Sequence, residues 1–200
     1  MSRQPAPQPD QDLSRFPVEV LSKGSEVFRS HRADLGPCFF NGTTNFRFNL
    51  PNGRGTCYVG DDVATAVREK LRELVLGQGI VPATLANSFV VSTIRVDRPF
   101  RCAAIGDSEA VGYGVSRMLG TMDAYDVPQK WAAAFDSSRF EGIRYGSSYT
   151  NGPDNAWALF GEAGERSFGG AVATLTGAGA CAVAGIAVYG VPRLDELDIV

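Results

Sequence analysis

The apolar segments of this chain are short, and turn residues separate them before any regular alternation of strand and helix is established. Gly42, Asn45 and the Pro51-Asn52-Gly53-Arg54-Gly55 cluster mark turns in the first third of the sequence. Between the breaks, residues 26–31, 56–59 and 88–96 read as strands, the last being the clearest, on β-branched and aromatic content. One helix is well marked. Asp61 or Asp62 can cap its start, and Val63, Ala66, Val67, Leu71, Leu74 and Val75 give it one apolar face at i, i+3, i+4 spacing. It is expected to run to about Leu76 and to stop at Gly77. Helical character is also present around residues 108–119 and 128–135, with further short segments at 142–145 and 156–160. Short strands mixed with a few helices, without a βαβ rhythm, define a single α+β domain.

Two hundred residues are enough for one substantial core. Residues 1–14 are polar and rich in Pro and Gln, so a disordered or loosely draped tail is expected there, with the folded domain at 15–200. Nineteen Lys and Arg against 22 Asp and Glu give a net charge of -3. That balance argues against a nucleic-acid partner and against an anionic membrane surface. Residues 169–190 carry no charge over nearly the length that crosses a bilayer, yet most are Gly, Ala and Thr. Two short buried strands with a small-residue connection are expected there in place of a membrane helix. Cys38, Cys57, Cys102 and Cys181 form no C-x-x-C pair and are expected to be buried, reduced thiols. Together with a start that lacks an apolar signal region, they give the expectation of a cytoplasmic protein.

The chemistry available is narrowed by absences. His31 is the one histidine, so His-clustered zinc sites are out and a Ser-His-Asp triad would require His31 as its base. No G-x-S-x-G, G-x-G-x-x-G, Walker A or kinase signature occurs, so a nucleotide would have to be held by another device. On residues alone, His31 is a structural hydrogen-bonder and Tyr58 a core aromatic. Arg29 reads as a member of an ion pair and Ser147 as a turn serine. Strand alternation through 45–49 would put Phe46 and Phe48 on one face and Asn45, Arg47 and Asn49 on the other, towards solvent. Glu69 falls opposite the apolar face of its helix and reads as exposed, as does Glu73 one turn later.

Five segments nevertheless recur in a fixed order: Phe28-Arg29, Asn45-Phe46-Arg47-Phe48-Asn49, Cys57-Tyr58-Val59, Thr65-Ala66-Val67-Arg68-Glu69, and Gly142-Ile143-Arg144-Tyr145-Gly146-Ser147. In this order and at these separations the chain resembles the RES domain family over roughly residues 25 to 175. Members of that family are typically NAD-consuming toxins of bacterial toxin–antitoxin pairs. The chain departs from the pattern at Phe46, where the family usually has glycine, and at Gly146, where it often has proline. The resemblance implies an ADP-ribosyltransferase-like fold, a mixed and curved β-core flanked by helices, with NAD in a central cleft. It implies cleavage of the nicotinamide–ribose bond, with NAD as substrate and neither a metal nor a further cofactor.

By the same resemblance, Arg47 and Arg29 would grip the pyrophosphate, and Tyr58 would flank the nicotinamide with its hydroxyl free. Glu69 would stabilise the cationic ribose, and Ser147, or less fittingly Ser148, would hydrogen-bond substrate or orient Glu69. Asn155 and Phe160 continue the match, and Asn155 joins the binding residues. The implied partners are NAD and a helix-turn-helix antitoxin protein. Two other readings stay open: an enzyme of this fold that passes ADP-ribose to a dedicated protein or metabolite, and a RES-like module that binds without catalysing.

Overall fold

In the computed structural model, which describes residues 4–51, 53–76 and 79–190, short strands dominate. The first half of the chain forms β1 (Val18–Leu21), β2 (Glu26–His31), β3 (Phe39–Phe40), β4 (Arg54–Gly60), α1 (Val63–Leu71), β5 (Ile80–Pro82), α2 (Ala83–Ala86) and β6 (Val90–Val96). The second half forms β7 (Phe100–Ala104), α3 (Asp126–Ser137), β8 (Gly142–Tyr145), β9 (Ala156–Glu162), β10 (Gly164–Glu165), β11 (Gly169–Thr176), α4 (Gly177–Val183) and β12 (Ala187–Tyr189). The region read as helical at 108–119 is two 3-10 turns, Ser108–Tyr113 and Arg117–Gly120.

Eight strands make one mixed sheet in the order β1-β7-β8-β9-β4-β2-β6-β11. Its neighbours are antiparallel except β7 and β8, whose parallel pairing is allowed by the long connection through α3. Alternation along β9 distributes the core. Ala156, Ala158 and Phe160 face a cluster built on Trp131 and Phe135 of α3 and on Phe16. Trp157 and Leu159 face the other side, against Val27, Cys57 and Phe100. A third cluster joins Val67 and Leu71 of α1 to Ala180 and Cys181 of α4 and to Val91. Each fully buried Phe, Leu or Val contributes about 1.5–3 kcal/mol from burial. The four cysteines are free and buried.

The sheet is tightly paired on both sides of one gap. β4 pairs with β9 from Arg54–Glu162 to Gly60–Ala156, and β2 pairs with β6 from Glu26–Arg95 to His31–Val90. Between β2 and β4 the only registered pair is Phe28–Gly60. Beyond it the strands diverge, and α1 closes over the opening, with Ser30 Oγ donating to the Ala66 carbonyl at 2.8 Å.

Three expectations are corrected. Residues 4–14 are packed, not loose: Leu13 is 2% exposed, the Gln4 amide donates to Gly114 O, and Trp131 Nε1 donates to Pro5 O. Residues 1–3 lie outside the described residues. The uncharged stretch forms two strands, β11 and β12, joined through the small-residue helix α4, but the strands are largely exposed where buried ones were expected. No helix among the described residues is long and apolar enough to cross a membrane. The marked helix stops at Leu71 and continues as a 3-10 turn, Arg72–Val75; the expected stop at Gly77 lies outside the described residues.

Candidate active site

A cavity of about 430 Å³ occupies the divergence of β2 and β4, a volume suited to a ligand of nucleotide size. Phe28 and Ser30 line it from β2, Tyr58 from β4 and Glu69 from α1. The loop between β3 and β4 contributes Phe46 and Arg47.

Glu69 enters because α1 is fixed at its start. Asp62 caps the helix, accepting from Thr65 N at 2.6 Å. Asp61 binds Arg144 of β8 through two hydrogen bonds, at 2.9 and 2.6 Å, and accepts from Trp157 Nε1 at 2.6 Å. The Arg144 guanidinium lies 4.2 Å over the Trp157 ring. The helix face that periodicity assigns to solvent therefore looks into the cavity. Burial pushes the Glu69 carboxyl above its ordinary range; the Ser147 hydroxyl, Arg47 and Arg72 oppose that shift. The hydroxyl of Ser147 is close enough to act on it, but Glu69 Oε1 is buried with no hydrogen-bond partner.

Arg47 is not on a strand. Residues 45–49 form a turn that distant elements hold in place. Gln129 of α3 donates to the carbonyls of Thr44 and Phe46 at 2.7 and 2.9 Å, and Asn49 Nδ2 donates to Asn41 Oδ1 and Thr43 O. Phe48 is buried, while Phe46 and Arg47 are half-buried at the cavity. Arg47 Nε donates to Met122 O at 3.1 Å, and its guanidinium sits 5.7 Å from the Tyr125 ring. Tyr58 lines the cavity, but its hydroxyl is engaged, contrary to the expectation that it is free. It accepts from Phe48 N and donates to Asn49 Oδ1, both at 2.9 Å. Arg29 also reaches the cavity, yet its Nη1 donates to Pro37 O at 2.9 Å and to Cys57 Sγ at 2.6 Å.

Ser147 follows β8 at the back of Glu69 and borders a second, smaller cavity with Gly146 and Asp154. Its N–H donates to Asn155 Oδ1 at 3.0 Å, and its hydroxyl accepts from Tyr149 N at 3.1 Å. Asn155 also donates to Thr150 O, so its amide holds the serine loop and does not line the main cavity, where a binding role would place it. Ser148 donates to Gly120 O at 3.3 Å. Tyr149 reaches the main cavity, and its hydroxyl donates to Glu73 Oε1 at 2.8 Å. Glu73 is exposed, as expected, but it sits on the 3-10 turn after α1 and ties the serine loop to it. His31 bonds Ser92 Oγ at 2.8 Å and takes the structural role expected of it.

Sequence reasoning missed Arg72, Tyr125 and Tyr149, all on the cavity wall. Tyr149 lies two residues beyond Ser147 and was within reach of the motif. Arg72 gave no signal: by periodicity it continues an exposed helix, whereas its φ of 53° breaks that helix. A non-glycine residue at positive φ costs about 1–3 kcal/mol. Here the break carries the Arg72 guanidinium to 5.2 Å from the Phe46 ring.

A divided mixed sheet, a ligand-sized cavity at the division and a buried carboxylate among arginines define an enzyme-like α+β domain. The model of the RES domain family matches residues 26–176, and the chain belongs to that family. Its fold is shared with a chain of the crystal structure of the M. tuberculosis MbcT–MbcA toxin–antitoxin complex. That likeness has a TM-score of 0.60 at 13% identity, over 83% of this chain and 92% of the other. No curated protein sequence matches this chain.

Proposed function

We propose that this protein cleaves the glycosidic bond between nicotinamide and ribose in NAD. The observation that carries the reading is Glu69, an enclosed carboxylate with an unpartnered oxygen on a cavity also lined by arginines and aromatic rings. In this reaction the C–N bond breaks and its electron pair leaves with the nicotinamide nitrogen, neutralising the ring. The ribose becomes oxocarbenium-like, and a nucleophile, water or phosphate, completes the substitution. Glu69 is the group that offsets the positive charge developing on the ribose, and its burial strengthens that effect because little water screens it. Arg47 holds diphosphate oxygens through its fork of donors. Tyr58 offers a ring face to the nicotinamide, with its hydroxyl anchoring the Arg47 loop. Ser147 stands behind Glu69, and Asn155 keeps Ser147 in place.

Family membership supports this reading, as does a fold seen in a toxin–antitoxin complex; both favour a toxin restrained by an antitoxin protein and acting on cytoplasmic NAD. The test is incubation of purified protein with NAD, with and without phosphate, and identification of products by mass spectrometry. Nicotinamide with ADP-ribose marks hydrolysis, and nicotinamide with a phosphorylated ADP-ribose marks phosphorolysis. Turnover that begins only when a protein or metabolite is added would favour a dedicated acceptor instead.

A further inference from the structure

We propose that Arg72, stacked on Phe46, forms with Arg47 the site that holds the substrate diphosphate, in the place that the family pattern gives to Arg29. The proposal rests on the NAD reading above and deepens it. Arg29 is poorly available, because Nη1 of its guanidinium is committed to Pro37 O and Cys57 Sγ. Among the described residues Arg29, Arg47, Lys70 and Arg72 all line the cavity and take part in no ion pair, and what sets Arg72 apart from Arg29 is that its guanidinium rests on the Phe46 ring and is not committed to backbone or thiol acceptors.

The geometry is specific to this chain. The Arg72 guanidinium lies 5.2 Å from the Phe46 ring and the Arg47 guanidinium 5.7 Å from the Tyr125 ring, so two cationic forks, each beside an aromatic ring, stand on the wall of the same cavity. The family usually has glycine at position 46. Phe46 supplies the shelf on which Arg72 rests, and a glycine there would leave the guanidinium without its stacking partner. The positive-φ backbone at Arg72, φ 53° and ψ -129°, ends the course of α1 at the residue whose side chain lines the cavity. A diphosphate carries two negative charges on closely spaced oxygens, and two planar guanidinium groups match it better than one. Lys70 adds a third, more solvated cation on the same wall.

Arg72→Gly and Phe46→Gly test this. Glycine suits the positive φ at position 72, so the first variant should melt no lower than the parent. Calorimetry with ADP-ribose and with inorganic pyrophosphate reads the site without turnover. Arg72→Gly should weaken both by roughly ten- to a hundredfold, the loss expected of a charged hydrogen-bonding group. Phe46→Gly should weaken both in the same direction. In turnover, Arg72→Gly should raise KM for NAD by a larger factor than it lowers kcat, and should slow cleavage of NAD more than cleavage of nicotinamide riboside, which lacks the diphosphate. Parental affinity for ADP-ribose and pyrophosphate in Arg72→Gly would overturn the proposal, and so would a parent that binds no pyrophosphate. A parent that binds pyrophosphate through Arg72 but neither binds ADP-ribose nor cleaves NAD would refute the substrate reading and leave the anion site standing.

Discussion

Glu69 owes its proposed chemistry and its cost to the same burial. Removing its charge in Glu69→Gln should lower kcat by roughly 100- to 1000-fold, the range for one preorganised electrostatic contact. Stability should move the other way. The folded carboxyl titrates above its ordinary value of 4.5, so its contribution to stability is full below that value and is lost as pH rises through the folded value. Parent and Glu69→Gln should therefore melt together near pH 4, and the variant should melt higher at neutral pH; thermal melts at both pH values check this. The acid limb of the parental activity profile should lie above the ordinary glutamate range, because only the ionised form offsets the ribose charge. A helical wheel shows Glu69 on the polar face and nothing more; that this face looks into a cavity depends on the distant divergence of β2 and β4. The family pattern drew attention to Glu69, but no local rule announces an arginine at positive φ, so Arg72 was invisible.

The elements that carry their own pattern were legible. α1 showed its apolar face and its cap, and β2, β4 and β6 showed their strand content. The loop at 41–50 was not, because Gln129 of α3 and Tyr58 of β4 decide its shape, and alternation within 45–49 carries no trace of either. The packed N-terminal segment was missed for the same reason: its partners are Gly114 and Trp131. The start of α1 is held by two adjacent aspartates with different duties. Asp62→Ala removes the cap and should cost about 0.5–2 kcal/mol. Asp61→Asn weakens the pairing with Arg144, whose side chain is only 8% exposed. That change should cost about 2 kcal/mol, less than a fully buried pair because Asp61 is partly solvated. Denaturant unfolding of both variants checks these values. Since Asp61 links α1 to β8, its variant should also lose kcat as Glu69 and Ser147 drift apart, whereas Asp62→Ala should keep more activity at equal stability.

At the scale of the molecule, the fold is two well-paired blocks of sheet meeting at one residue pair, with α1 closing the division and the proposed chemistry inside it. The α+β class was readable from short strands without a βαβ rhythm, but the division itself was not, since it is an absence of pairing between two ordinary strands. If the cavity consumes NAD, expression in bacteria should deplete NAD and arrest growth, and Glu69→Gln at equal expression should do neither; metabolite measurement alongside growth curves decides it. The central claim is tested most directly by following free nicotinamide from NAD with purified parent and purified Glu69→Gln at matched concentration, both shown to be folded. The account predicts nicotinamide release by the parent and roughly 100- to 1000-fold slower release by the variant. No release by the folded parent, with or without phosphate, or equal release by both proteins, would contradict it.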